Sequence, residues 1–245
     1  MNYMGNKRKI ADELLNVMNV TKNDVFVDLF CGSLSVSQRA NAKTIIANDK
    51  NKYLIAMWND LLEGREFPKI ISRELYQNVR DYYRELERYR KVSGDFDNGF
   101  IGWVGFMASF NGKFFDGGYS GHNVKGRDYI SENIANTISQ LNELKKKEGN
   151  FVLSSMDYSE VDIPENAIVY CDIPYKKTTT YSTSKFFDYF RFYDWVKRQK
   201  HCRLFISEYS MPESDFLCVW QKEFTNAMAT NKTYRPIEKL FVVKN

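Results

Sequence analysis

Apolar positions along the chain follow two alternating rhythms. Residues 6–19 carry them at helical spacing, and residues 24–30 (DVFVDLF) form a continuous apolar run that stops at Cys31-Gly32-Ser33. The run is rich in β-branched and aromatic side chains, which predicts a buried strand; the pattern then turns helical through Arg39. A second short run, 43–47, ends at Asn48-Asp49 and leads into a helical stretch at 52–63. A β-α-β-α order with near-continuous apolar strands predicts a parallel sheet covered by helices. From residue 67 to about 126 this rhythm stops. Residues 73–91 read as a charged helix, and residues 94–126 are dense in Gly, Asn and aromatics with no regular period. It resumes with a helix at 130–147, strands at 151–154 and 167–171, a helix at 187–198, a strand at 203–207 and a final strand pair at 216–222 and 238–243. The pattern describes one α/β domain, residues 1–66 and 128–245, with an insertion, 67–127, between its halves.

Composition narrows this picture. With 245 residues, 43% apolar and 16% aromatic, the chain can bury one full-sized core, much of it supplied by 16 Tyr and 18 Phe. No long uncharged apolar run is present, and the start, MNYMGNKRKI, lacks the apolar core of a signal peptide, which points to the cytosol. Lys and Arg (35) slightly exceed Asp and Glu (31), a net charge of +4 that permits a nucleic-acid partner without demanding one. Cys31, Cys171, Cys202 and Cys218 form no CxxC pair, and His122 and His201 stand far apart. That spacing argues against a zinc site and against a histidine-activated nucleophile, and reads the cysteines as small buried apolar residues.

The candidate chemistry lies at strand ends, because ligands of such sheets bind at the carboxyl edge. Asp28 is near the end of the first strand, Asp49 follows the second, Asp157 lies shortly beyond another, and Asp172 follows the run Ile168-Val169-Tyr170-Cys171. The first loop, DLFCGSLSV, turns at Gly32 but lacks GxGxxG spacing, so it does not point to a dinucleotide pyrophosphate. Asp49 stands where an acid binds both ribose hydroxyls of a nucleoside; capping the next helix is an equal reading of that position. In Asp172-Ile173-Pro174-Tyr175, proline stiffens the turn and pushes the residue before it to an extended conformation. A carboxylate and a carbonyl are then held beside an aromatic face, which suits a planar group bearing an amine. Four residues of this kind also fit a plain strand-terminating turn.

Taken in order, these segments resemble the Dam-type DNA adenine methyltransferases over nearly the whole chain. Tyr3-Met4-Gly5-Asn6-Lys7 is similar to their N-terminal aromatic-x-Gly-x-Lys segment, Asp28-Leu29-Phe30-Cys31-Gly32 to their first cofactor loop, and Asn48-Asp49 to the ribose-binding acid. Asp157 is similar to an acid beside the cofactor adenine, Ser109-Phe110-Asn111-Gly112-Lys113-Phe114-Phe115 to the aromatic-Asn-Gly stretch before the catalytic half, and Asp172-Ile173-Pro174-Tyr175 to the catalytic tetrapeptide. The ending Glu238-Lys239-Leu240-Phe241 is also similar. The resemblance implies a Rossmann-like class I methyltransferase sheet with helices on both faces, plus an inserted, mostly helical target-recognition region. It implies S-adenosylmethionine as cofactor, held by Tyr3, Lys7, Asp28, Phe30, Gly32, Asp49 and Asp157. Two positions depart from the family's pattern: Leu34 stands where a second glycine is usual, and Ile173 where the tetrapeptide usually has its first proline.

The implied reaction methylates the exocyclic amine of adenine in double-stranded DNA, without membrane or metal. Asp172 and the Ile173 carbonyl accept the amine's hydrogens, and Pro174 stiffens the turn. The base flips out of the duplex and stacks on Tyr175. Asn111, Lys113, Arg127, Lys176 and Lys177 are the candidate DNA contacts. The charged helix 73–91 fits a solvated face with i,i+4 pairs as well as a phosphate-binding face, Lys197 to Lys200 read as a solvated helix end, and the aromatic run 186–190 reads as core. Two rivals share the site: a methyltransferase acting on RNA or a small amine, and a nucleic-acid-binding protein with a decayed methyltransferase site.

Overall fold

The computed structural model describes residues 1–89, 96–147, 151–176, 187–223 and 237–244. Seven strands form one sheet in the order β3-β2-β1-β4-β5-β7-β6. They are β1 (Val25–Asp28), β2 (Thr44–Asn48), β3 (Phe151–Ser154), β4 (Ile168–Asp172), β5 (Arg203–Glu208), β6 (Phe216–Glu223) and β7 (Ile237–Val243). The first five are parallel, and β7 inserts antiparallel between β5 and β6. This is the Rossmann-like sheet expected, and its alternation fixes which side chain meets which layer. In β4, Ile168 and Tyr170 face the layer of helix α1 (Ala11–Met18), while Val169 and Cys171 face that of α6 (Tyr189–Arg198). Helices therefore cover both faces.

Helix α1 buries Ala11, Leu14, Leu15 and Met18, a stripe at helical spacing, and Asn19 ends it in the left-handed region. It starts at Ala11, not at residue 6, because residues 1–7 run away to the carboxyl edge. The stretch from Gly32 to Arg39 is a chain of turns instead of a helix. Leu34 is the cause: its φ of 61° is incompatible with a right-handed helix. Its side chain is wholly buried in the cluster formed with α2 (Lys52–Leu62), α4 (Asn98–Ala108) and α5 (Tyr129–Lys145), so the loop's own backbone lines the edge.

Helix α4 departs most from the sequence pattern, since it occupies a glycine-rich stretch read as irregular. All of its residues except Asn98 and Phe100 are buried. Gly99, Gly102 and Gly105 recur every third residue and face close neighbours; a Cβ at Gly102 would sit 2.1 Å from the Tyr53 carbonyl oxygen of α2. Glycine here is a packing choice that lets two backbones approach, and it outweighs a helix-propensity cost of about 1 kcal/mol per residue. Around this contact lie Trp58 and Trp103, both fully buried, with Phe67 stacked on Trp103 at 5.0 Å.

The charged helix α3 (Arg73–Tyr89) buries only Tyr76 and Val79. Glu87 reaches Lys52 at 3.5 Å on α2, and Arg80 pairs with its neighbour Asp81, so these charges do not pair at i,i+4 spacing. Arg90 and Lys91 lie outside the described residues. In α6 the aromatic run divides: Phe187 and Tyr189 pack into the layer, whereas Phe190, on the outer side of the first turn, is 79% exposed. Phe186 lies outside the described residues. Among the described residues no helix is long and apolar enough to cross a membrane, and no cluster of three or more His, Cys, Asp or Glu is placed to hold a metal ion.

Candidate active site

Because β1 to β5 run parallel, their acids converge on one edge. β1 ends in Asp28, β2 in Asn48 just before Asp49, β4 in Asp172 and β5 in Glu208. β7 runs the opposite way, so its second residue, Glu238, arrives at the same edge beside Lys239, the partner of Glu208. Asn48 locks three strand ends together: its side chain donates to the Leu29 and Met156 carbonyls and accepts from Ser154 Oγ and Met156 N–H.

The tetrapeptide is held from several directions. Glu208 accepts the Lys176 N–H at 2.9 Å, and the Tyr189 hydroxyl donates to the Pro174 carbonyl at 2.7 Å. Ile173 is buried in the α6 layer. The Asp172 carboxylate receives Lys7 Nζ at 2.8 Å, and the same ammonium lies 3.6 Å from Glu238 and 4.6 Å from the centre of the Tyr175 ring. The Tyr175 hydroxyl donates to Glu238, and Tyr209 meets its ring edge-on at 4.6 Å. Burial disfavours the Lys7 charge, but Asp172 and Glu238 prevail and hold its pKa above the ordinary lysine value. Its nitrogen is thereby a cation and not a nucleophile. Burial also pushes the Asp172 carboxyl up, against the pull of Lys7. Lys7, expected to contact the cofactor, is paired with Asp172, and Tyr175, expected to be the stacking surface for the base, is buried with the lysine over its ring.

Gly32 has φ 46°, its N–H donates to Asp49 at 2.9 Å, and a Cβ there would meet the Tyr3 ring at 2.9 Å. The left-handed backbone and the ring contact both require glycine. Asp49 also accepts the Asn51 N–H, and Asn51, not Asp49, caps α2 by accepting from Tyr53 and Leu54. The helix cap being filled by another residue leaves Asp49 as a loop organiser at the edge. Phe30 packs against Tyr158, Phe187 and Phe192. Asp157 caps a short turn and pairs with Arg191 at 3.0 Å and Lys50 at 3.3 Å. Its burial is outweighed by hydrogen bonds from Ser159, Lys50 and Arg191, which take its pKa down to about 2.

Asp28 is 1% exposed; one oxygen accepts from Ser37 Oγ at 2.6 Å, and Oδ1 is buried without a hydrogen-bond partner. Burial raises its pKa to about 7. A raised carboxyl means that folding favours the protonated acid, so this group's contribution is full below about pH 4 and is lost as pH climbs towards 7. Asp28→Asn, which imitates the protonated acid, should flatten that decline. Melting temperatures of the two proteins compared from pH 4 to pH 8 check it, and parallel curves would refute it.

The expected DNA contacts are spread out. Asn111 is exposed at φ 56° in the turn Phe110–Gly112, beside Phe110, which is 47% exposed; Lys113 is half-buried. A small hollow joins Asn2, Ser109, Phe110, Asn111 and Tyr129, bringing this turn to the N-terminal segment that carries Tyr3 and Lys7. Arg127 is paired with Glu132 at 2.6 Å and covers the Tyr129 ring. Lys176 is exposed, over the rings of Tyr189, Phe190 and Tyr193, and Lys177 lies outside the described residues.

Sequence reasoning missed Glu238 and Glu208 as site residues. A signal for Glu238 existed: in β7 it shares a face with Leu240 and Val242, both in the α1 layer, so a carboxylate falls on a core-facing position. Burial holds the Cys31 and Cys171 thiols well above their usual pKa, which removes them as nucleophiles, while Cys218 is exposed, contrary to the buried reading.

The profile of the D12 class of N6 adenine-specific DNA methyltransferases matches residues 3–242. The chain is 27% identical over 201 residues to the Type II methyltransferase M.FokI of Planomicrobium okeanokoites, across 73% of this chain; it spans only 29% of that relative's length. Among solved structures it is similar to the rRNA methyltransferase AviRa from Streptomyces viridochromogenes (TM-score 0.42, 11% identity, 99% of this chain and 86% of that one). A dimethyladenosine transferase from Plasmodium falciparum is also similar (TM-score 0.41, 9% identity, 96% and 62%).

Proposed function

The chain belongs to the D12 class of N6 adenine-specific DNA methyltransferases, and on that premise we propose that it transfers a methyl group from S-adenosylmethionine to the exocyclic amine of adenine in double-stranded DNA. The observation that carries the reading is Asp172: a carboxylate at the end of a buried strand, 19% exposed, with Pro174 and Tyr175 directly behind it. The M.FokI relative spans far more sequence than this chain, so the reading rests on the family and the site and not on that relative.

The residues present fit the cofactor. Asp28, Asp49, Asp172, Glu208 and Glu238 meet at one edge with Lys7 as the buried cation among them, an excess of acid that suits a cationic sulfonium. Asp28 Oδ1 is a buried acceptor with nothing donating to it, and the Gly32 turn brings backbone close to the same space. Tyr3, Gly32, Phe30 and Asp28 would line the cofactor's site, Asp49 would take its ribose hydroxyls and Asp157 its purine side. When bound, the cofactor supplies an electrophilic methyl group.

The chain's own residues prepare the amine. In free adenine its lone pair is delocalised into the ring, which makes the nitrogen a poor nucleophile. Asp172 and the Ile173 carbonyl accept its two hydrogens, the nitrogen pyramidalises, and the lone pair localises on it. The effect is positioning and electrostatics, with no covalent bond to the enzyme. Reaching that atom requires the base to leave the duplex, at a cost of a few kcal/mol that stacking on an aromatic ring and contacts to the backbone must offset. Tyr175 provides the ring, while Asn111, Lys113, Arg127, Lys176 and Lys177 provide the DNA contacts. Phe110, exposed at the tip of its turn, is a further ring able to fill the gap left by the base.

Filter binding with radiolabelled S-adenosylmethionine tests the reading. Label should enter adenine-containing duplex DNA and not duplex RNA or free adenosine at matched concentration. Incorporation only into RNA or adenosine, or none at all, would refute it.

A further inference from the structure

One cation serves two buried carboxylates in the tetrapeptide pocket, and its position coincides with that of the substrate. Lys7 Nζ donates to Asp172 at 2.8 Å and lies over the Tyr175 ring at 4.6 Å. Those are the two contacts that the proposed reaction gives to adenine: an N–H donor on Asp172 and a flat group on Tyr175. A flipped base and the lysine cannot both have them. Glu238 offers the lysine somewhere else to go. It lies 3.6 Å from Nζ, is 8% exposed where Asp172 is 19% exposed, and is fixed by the Tyr175 hydroxyl. The Lys7 backbone is anchored, its N–H donating to Ser35 Oγ at 3.1 Å, so the ammonium reaches Glu238 from 3.6 Å by side-chain rotation alone.

We propose that Lys7 is a resident placeholder in the target-amine site, which hands Asp172 to the incoming adenine by moving its ammonium onto Glu238. This rests on the reaction proposed above and adds two positioning residues to it. The exchange is neutral in charge. The buried ammonium never loses a carboxylate partner, and Asp172 is never left unpaired, so the penalty for an orphaned buried charge does not arise in either state. It also gives Glu238 a role that packing alone does not, since an apolar residue would suit the Leu240 face of β7.

The test uses adenosine as the probe, with S-adenosylhomocysteine at saturation so that the cofactor's own purine site is filled. In protein labelled with ¹³Cε-lysine, the Lys7 ε-methylene signal should be ring-shifted by Tyr175 and should move on adding adenosine. Glu238→Gln keeps an acceptor for the Tyr175 hydroxyl but removes the charge that would receive the lysine. It should bind adenosine roughly tenfold more weakly, hold the Lys7 signal at its ring-shifted position and leave S-adenosylhomocysteine affinity unchanged. In methylation assays its defect should fall on the KM for DNA. Adenosine binding to the wild type with the Lys7 signal unmoved, or binding to the variant as tightly as to the wild type, overturns the exchange and leaves the reaction standing. Failure of adenosine to bind the wild type at all overturns the exchange, which needs a base to displace the lysine, and leaves the reaction, tested on duplex DNA, standing.

Discussion

Asp172→Ala lowers methyl transfer to adenine by on the order of 10³-fold, the loss expected when a preorganised polar partner of the reacting group is removed, while S-adenosylhomocysteine still binds. The two effects separate because the proposed reaction puts Asp172 on the amine, whereas Asp28, Asp49 and Gly32 shape the neighbouring loop. Fold should also survive. Deleting one half of a buried ion pair usually costs about 3–5 kcal/mol because the other charge is stranded. Lys7 is not stranded here, since Glu238 stays 3.6 Å away. Single-turnover rates, calorimetric titration with S-adenosylhomocysteine and a melting curve measure the three consequences. Wild-type turnover by Asp172→Ala would refute the assignment of this carboxylate.

Gly102→Ala destabilises the protein. In an exposed helix the change would add about 1 kcal/mol of stability through helix propensity. At this position the added methyl meets the Tyr53 carbonyl oxygen at 2.1 Å and the carbonyl carbon at 2.9 Å, both backbone atoms of α2. Overpacking a tight core typically costs about 1–3 kcal/mol, and the upper end applies when no flexible side chain can give way. The net loss is then about 2 kcal/mol, and the melting temperature falls by roughly 4–8 °C in a domain of this size. A melting temperature equal to or above that of the wild type would show that α2 and α4 are not packed backbone to backbone.

The two packing modes explain what could be read along the chain. Strands β1, β2, β4 and β5 were legible because a buried parallel strand is a short apolar run whose boundaries are marked by polar residues, as at Asp28 and Asp172. Asp28, Asp49 and Asp172 at the carboxyl edge followed from the same rule, whereas Glu208 did not. Helix α4 was not legible: a reader of local propensity takes NGFIGWVGFMA as broken by three glycines, and only the neighbouring helix shows why they are there. The turns after Gly32 were misread for the converse reason, since nothing local announces that Leu34 adopts φ 61° with its side chain in the core. Within the site, Asp172 and Tyr175 were visible as neighbours in sequence. Lys7 was visible only as part of a family segment, and its pairing with Asp172 and Glu238 depends on contacts between positions far apart in the chain, which no local pattern encodes.

Lys7, Asp172 and Glu238 come from the beginning, the later half and the last strand of the chain, and that strand docks between two others that precede it. The cluster that surrounds the Lys7 ammonium is therefore incomplete until β7 has slotted between β5 and β6. Pairings at such long sequence separation are slow to form, so these three buried charges meet late in folding, after the local elements that carry them.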